Sequence, residues 1–233
     1  MILGVTPARG GSKGIREKNI RIVAGRPLIA FAIEVGLATR LIDRYIVSTD
    51  SKKIARIAVS LGATVPFERP TIIATDSAPM LPVLKHAVVE IERQTGDVVE
   101  AVVLLDPTAP LRTVEDVESA IKLFQQGGCD AVISVNKSAK NPYFNMVEIR
   151  NGYCHLVKPI DPPITRRQDA PEVFEMNTVV SIFSKKVVMN AKQRIPKKTR
   201  YLMIPRERSI DIDTPYDLQR LDFLLSNASR LQQ

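Results

Sequence analysis

The sequence predicts an α/β fold on a mostly parallel sheet, and three observations carry that expectation. Short apolar segments alternate with segments of helical period from residue 2 to about residue 135. Two of the apolar segments, Val98 to Leu105 and Ala131 to Val135, contain the near-continuous hydrophobic runs of strands buried on both faces. The only cysteines, Cys129 and Cys154, make no disulfide framework and no metal spacing that would substitute for a packed core.

The elements follow in order. Ile2-Leu3-Gly4-Val5-Thr6 reads as a buried strand ended by Pro7, and a polar, glycine-rich, basic loop runs from Ala8 to Asn19. Pro27 opens a helix, since Leu28, Ile29, Ala32, Ile33, Gly36 and Leu37 recur at helical spacing. Tyr45 to Ser48 is a strand, and Ser51 to Leu61 a helix capped by Asp50 or Ser51 and stopped by Gly62. Ala63-Thr64-Val65 follows as a further short strand. A helix over Leu81 to Ile91 precedes the strand within Val98 to Leu105. Thr113, with Glu115 and Asp116 in the first turn, starts a helix that reaches about Gln126 before Gly127-Gly128. Ala131 to Val135 is the next central strand. There the rhythm breaks. Residues 136–171 contain five prolines, and Asn151-Gly152 between alternating apolar positions signals a β-hairpin. This segment is expected to leave the main sheet and reach another subunit, within a single domain over residues 1–233. Strands return at Val179 to Phe183 and Tyr201 to Ile204, and a helix capped by Thr214 closes the chain from Pro215 to about Leu225.

With 233 residues, 45% hydrophobic and 25% charged, the chain has the composition of a globular domain, which excludes disorder and coiled coil as readings of the whole. The formal net charge is +8, and the first seventy residues hold twelve basic against five acidic side chains. Such an excess suits a nucleic-acid binder, or an enzyme that handles phosphates and sugar acids. Aromatics at 5% and no tryptophan leave few stacking platforms for bases. The start Met-Ile-Leu-Gly-Val has no basic n-region before its apolar residues, and no apolar run approaches a membrane span. A cytoplasmic protein with reduced cysteines is expected.

Four constellations can carry chemistry. In Arg9-Gly10-Gly11-Ser12-Lys13-Gly14 the glycines let backbone N–H groups turn toward a ligand, while Arg9, Lys13 and Lys18 supply positive charge. A triphosphate needs both; a solvated turn is the alternative, weakened by the loop's place at the end of the first strand. In Arg208-Ser209-Ile210-Asp211-Ile212-Asp213, inward-facing Ile210 and Ile212 put Asp211 and Asp213 on one side, a pair suited to Mg²⁺. Capping of the last helix is the alternative there. The strand that ends Leu104-Leu105-Asp106 and exits through Pro107-Thr108-Ala109-Pro110-Leu111-Arg112 brings polar groups to the same sheet edge. Arg166-Arg167-Gln168-Asp169 has paired arginines that can clamp a carboxylate, or form a surface patch. His86 and His155 receive no role.

Ala8 to Gly14 followed by Lys18-Asn19 closely resembles the opening motif of the acylneuraminate cytidylyltransferases, the CMP-sialic acid synthetase family. Leu104 to Arg112, Arg166 to Asp169 with Pro171-Glu172, and Glu207 to Thr214 are similar to further family segments in the same order, as are Arg69-Pro70 and Thr75-Asp76. The resemblance implies a three-layer, Rossmann-like nucleotidyltransferase fold with a mostly parallel sheet and a β-hairpin excursion that dimerises. It implies transfer of CMP from CTP to an acidic 2-keto sugar, with Mg²⁺ as cofactor and without nucleic acid or membrane as partner. By position, Arg9, Gly10, Gly11, Ser12, Lys13, Lys18, Asn19, Arg69 and Asp76 would bind the nucleotide. Asp106, Thr108, Arg166, Arg167, Gln168 and Asn177 would bind the sugar. Asp211 and Asp213 would hold the metal and, with Arg9 and Lys18, do the catalysis. Asp106 stands where these enzymes usually have Gln, and Met176-Asn177-Thr178 replaces Pro-Asn-Gly. Asp106 is therefore expected either to join the metal site or to accept from the sugar.

Overall fold

A computed structural model describes residues 1–11, 14–193 and 195–227. The first strand, β1 (Ile2–Pro7), is buried along its whole length. Beyond its loop, β2 (Ile22–Val23) and β3 (Arg26–Pro27) pair as a small antiparallel ribbon ahead of α1 (Leu28–Ala38). Strand β4 (Arg44–Ser48) lies parallel to β1 and leads into α2 (Lys52–Ser60), where the Ser51 side chain accepts from the Ile54 N–H. The long α3 (Met80–Thr95) ends at Gly96 in the left-handed region and returns the chain to β5 (Ala101–Leu104). A capping box between Thr113 and Asp116 starts α4 (Val114–Gln125), which precedes β6 (Ala131–Lys137). Next, β7 (Val147–Arg150) and β8 (Tyr153–Leu156) form a separate two-stranded sheet around Asn151-Gly152, both at positive φ. The chain closes with β9 (Phe174–Ser184), α5 (Lys185–Asn190), β10 (Thr199–Met203) and α6 (Pro215–Ser226).

The main sheet has the order β10-β6-β9-β5-β1-β4. All its strands are parallel except β9, which runs antiparallel between β5 and β6. Period-2 alternation divides each strand between two cores. Ile2, Val47, Ala101, Val103 and Ile182 pack with Ile29 and Ile33 of α1, Ile54 of α2 and Ile121 of α4 on one face. Leu3, Val5, Ile46, Val102, Leu104 and Phe183 pack with Leu84, Val88 and Ile91 of α3 and Val187 of α5 on the other. That is the expected three-layer arrangement. Among the described residues no helix is long and apolar enough to cross a membrane.

Two sequence expectations need correction. Ala63-Thr64-Val65 is not a strand: only a single bridge joins Ile46 and Thr64, because one residue of pairing is all the turn after Gly62 allows. And β9 begins at Phe174 rather than Val179, its first residues pairing with Val135 to Lys137 through an irregularity. Opposite the single residue Ser134, β9 carries the four residues 177–180, a bulge of the kind that re-aims side chains beside active sites.

Candidate functional site

The first link after β1 goes to β4 on one side, and the chain then returns to place β5 on the other side of β1. Ligands bind open α/β sheets at such a switch point, outside the carboxyl ends of the strands. A cleft of about 300 Å³ lies there, lined by Arg9, Gly14, Lys18 and Asn19 from the loop after β1 and by Asp106, Pro107 and Thr108 from the loop after β5. Arg69, Asp76 and Asp213 also line it, with an apolar wall that includes Ile73, Met80 and Val83.

The basic groups of the cleft are held by carboxylates and carbonyls. Lys18 Nζ donates to the Ile212 carbonyl at 2.8 Å and to Asp213 Oδ1 at 2.8 Å. The Asn19 amide donates to the Arg9 carbonyl at 3.0 Å, which fixes the two ends of the loop relative to each other. Arg9 pairs with Asp76. Asp50 accepts from the Gly10 N–H at 3.0 Å and from the Arg69 guanidinium at 3.3 Å. Arg69 is only 4% exposed, and burial holds its pKa below the ordinary arginine value, with Asp50 opposing that shift. Gly14 is needed for close approach: a Cβ there would stand 2.5 Å from the Asp213 carbonyl oxygen. The loop after β1 and the acidic segment are therefore in contact at backbone level.

That acidic segment owes its shape to Ile210 and Ile212, which are buried with Leu28, Phe31 and Leu221. Among the described residues it pairs with no strand, and it hangs from β5's exit by the Ile212 N–H, which donates to the Thr108 carbonyl at 2.9 Å. Asp211 and Asp213 are near enough that Asp213 raises the pKa of Asp211. Burial is the larger cause of that rise, and the Thr108 hydroxyl, Lys18 and the Thr178 hydroxyl act against it. Asp211 Oδ1 is buried with no hydrogen-bond partner among the described residues. Asp213 faces the main cleft, while Asp211 faces a polar pocket of about 130 Å³ lined also by Asn136, Glu175 and Ser209.

Carboxylate oxygens are the donors a hard divalent cation takes, although these two open onto different pockets. Two carboxylates, one with an orphaned oxygen, leave most coordination positions for water and phosphate oxygens, as Mg²⁺ prefers. Asp106 lines the same cleft, yet the described residues contain no cluster of three or more acidic, histidine or cysteine groups able to hold a metal.

Other expected residues lie elsewhere. Arg166 is on the surface and donates to Asp169 at 2.7 Å. Arg167 donates to the Ala139 carbonyl at 2.8 Å, and with Gln168 it lines a separate pocket of about 440 Å³ beside Lys137 and Glu172. In one chain these three residues do not meet the cleft. Asn177 is buried, with its Oδ1 accepting from Ser134 Oγ at 2.5 Å and its amide donating to Asn136 Oδ1 at 3.2 Å. Gly11 borders open space, so a side chain would fit there. Ser12 and Lys13 fall outside the described residues.

Arg112 is the functional residue that sequence reasoning left without a role. It is 4% exposed and donates to the carbonyls of Asp106 at 2.8 Å, Thr178 at 3.0 Å and Val179. Burial pushes its pKa down to about 10, still above neutrality, so it remains a cation. A single buried charge thus fastens the loop of Asp106 and Thr108 to the β9 bulge. The run Pro107 to Arg112 signalled a rigid exit, but only the β9 carbonyls show what the arginine is for.

The profile of the family described as cytidylyltransferase matches residues 3–142. The chain is 34% identical over 225 residues to the CMP-N,N'-diacetyllegionaminic acid synthase of Campylobacter jejuni, covering 97% of this chain and 95% of that one. It is 30% identical over 237 residues to the N-acylneuraminate cytidylyltransferase of Escherichia coli O18:K1:H7, covering 97% of this chain and 51% of that one. A solved CMP:2-keto-3-deoxy-manno-octonic acid synthetase complexed with CTP shares the fold at a TM-score of 0.71 and 16% identity, over 97% of this chain and 99% of that one.

Proposed function

Because the chain belongs to the cytidylyltransferase family, we propose that it transfers CMP from CTP to the hydroxyl of a nonulosonic, sialic-type 2-keto sugar acid, releasing pyrophosphate. The observation that carries this reading is the cleft itself: Arg9, Lys18 and Arg69 face Asp213 across the switch point of a parallel sheet. The sugar hydroxyl oxygen bonds to the α-phosphorus as its proton passes to water and the bond from that phosphorus to the oxygen bridging the β-phosphate breaks, which releases pyrophosphate. A carboxylate-bearing sugar must therefore approach a triphosphate, and unscreened like charges would hold them apart.

Arg9, Lys18 and Arg69 supply that screening and favour the charge that develops on the transferring group. Their present anionic partners, Asp76, Asp213 and Asp50, keep them oriented before the nucleotide arrives. Gly10, Gly11 and Asn19 shape the loop against the phosphates. Asp211 and Asp213 would hold Mg²⁺, which when bound neutralises phosphate charge and polarises the α-phosphoryl oxygens. Asp106 and Thr108 border the place for the sugar. Mixing the chain with CTP, UTP, ATP or GTP and a panel of sugar acids is expected to release pyrophosphate only with CTP, Mg²⁺ and a nonulosonic acid together. Release with a different nucleotide or sugar would reassign it within the same fold. Salt-dependent binding of a polynucleotide without pyrophosphate would make it a nucleic-acid binder.

We also propose a homodimer in which the segment 136–171 embraces the partner and brings Arg166 to the partner's sugar. The β7–β8 hairpin supports this, because Ile149 is 66% and Tyr153 73% exposed, a poor arrangement for a hairpin meeting only water. Light scattering on the double variant Ile149→Asp, Tyr153→Asp is expected to find a monomer with little turnover; a fully active monomer would remove Arg166 from the site. We propose a cytoplasmic location, which a CTP substrate supports.

A further inference from the structure

Ser51 rather than Asp50 caps α2, its side chain accepting from the Ile54 N–H, so the Asp50 carboxylate is turned to another use. Its Oδ1 accepts from two donors far apart in the sequence, the Gly10 N–H at 3.0 Å and Arg69 Nη2 at 3.3 Å. One oxygen thus joins the loop after β1 to the buried guanidinium of the cleft. Backbone bonds hold the frame around it. The Ala8 N–H donates to the Ser48 carbonyl at 2.9 Å and the Arg69 N–H to the Thr49 carbonyl at 2.9 Å. The Ser51 N–H donates to Thr49 Oγ1 at 3.1 Å. Gly10 lies on the cap of α2, since a Cβ there would stand 3.0 Å from Ser51 Cβ. Its N–H is directed at Asp50, so this amide sets the position of the loop.

A carboxylate beside a triphosphate site is unfavourable by itself, because like charges repel. Arg69 supplies the reason for it. The guanidinium is buried, and its Nε has no hydrogen-bond partner among the described residues. A buried cation without a counter-charge is costly, and directed charge-assisted bonds are what fix its orientation. We propose that Asp50 is a positioning residue for nucleotide binding, which holds the Arg69 guanidinium and the Gly10 turn at one separation so that the cleft meets CTP already ordered. This rests on the reading of the cleft as the CTP site. Order of this kind raises affinity, because binding then has less freedom to remove.

The sign of one substitution separates this role from that of a bystander charge. Asp50→Asn keeps the size of the side chain and removes its charge. A bystander carboxylate would repel the triphosphate, so its loss should leave CTP binding equal or tighter. A positioning carboxylate gives the opposite result, CTP binding weaker by about tenfold. Calorimetry reads this on the full chain with CTP and Mg²⁺ and without sugar, so that no turnover intervenes. Asp50→Ala removes both acceptor bonds without adding an amide donor beside Arg69. It keeps the test open if the Asn variant disturbs the fold, and it should weaken CTP at least as much. Made on top of Arg69→Met, Asp50→Asn should change CTP affinity less than twofold, because the group it positions is gone; independent sites would add. Unchanged or tighter CTP binding in the Asn and Ala variants would overturn the proposal, as would equal losses with and without Arg69. A wild type that binds no CTP would overturn the reading of the cleft, and this inference with it.

Discussion

Asp211→Asn is expected to lower turnover by about 10²–10³-fold, the loss typical when one transition-state stabiliser is removed. The amide keeps the size of the side chain and most of its surroundings, so thermal unfolding should be nearly unchanged. The size of the effect follows from the environment. Asp211 is partly buried, its Oδ1 has no partner among the described residues, and Asp213 repels it. A carboxylate kept in that setting has a cation as its natural counter-charge. Pyrophosphate release at saturating CTP, sugar acid and Mg²⁺ measures the effect. Turnover within threefold of wild type would remove Asp211 from the reaction.

Arg112→Met is expected to be the most destabilising single change at the site, costing about 3–5 kcal/mol. Three carbonyls, those of Asp106, Thr178 and Val179, would lose their donor, the Val179 one in a buried place and the other two partly buried. Methionine fills most of the volume, so the loss reports the polar contacts rather than a cavity. For a domain of this size that corresponds to a fall of roughly 10 °C in the melting temperature, read by circular dichroism. Activity should fall before the fold does, because the same contacts hold Asp106 and Thr178 in place. A melting point within 2 °C of wild type would show that the carbonyls find other donors.

Several elements were legible because their signals are local. Pro27 ahead of an apolar helical repeat, Ser51 and Thr113 as caps, and Asn151-Gly152 as a hairpin turn each act within a few residues. The first half of β9 was not legible. Phe174, Glu175 and Met176 are exposed, so their pairing with Val135 to Lys137 leaves no burial pattern to read. The site shows the same division. The loop after β1 and the pair Asp211 and Asp213 announce themselves by residue type and spacing, and the structure puts them in contact through Lys18 and Gly14. Arg112 carries no such signal. Its meaning depends on β9 lying beside β5, a fact of long-range topology.

The place of β9 in the sheet also orders the assembly of the molecule. Strands β5 and β6 point the same way but do not touch; each meets β9, which comes some forty residues after β6 ends. While the chain emerges, β5 therefore has β1 on one side and an open edge on the other, and β6 cannot join the sheet at all. The first 173 residues alone would display unsatisfied strand edges, the surfaces on which chains stick to one another. Closing the gap needs contacts between distant parts of the sequence, which is slow. Nascent chains paused before Phe174 should thus be prone to aggregate and dependent on chaperones, and the nucleotide cleft should be complete only after β9, the antiparallel strand of the main sheet, has been inserted.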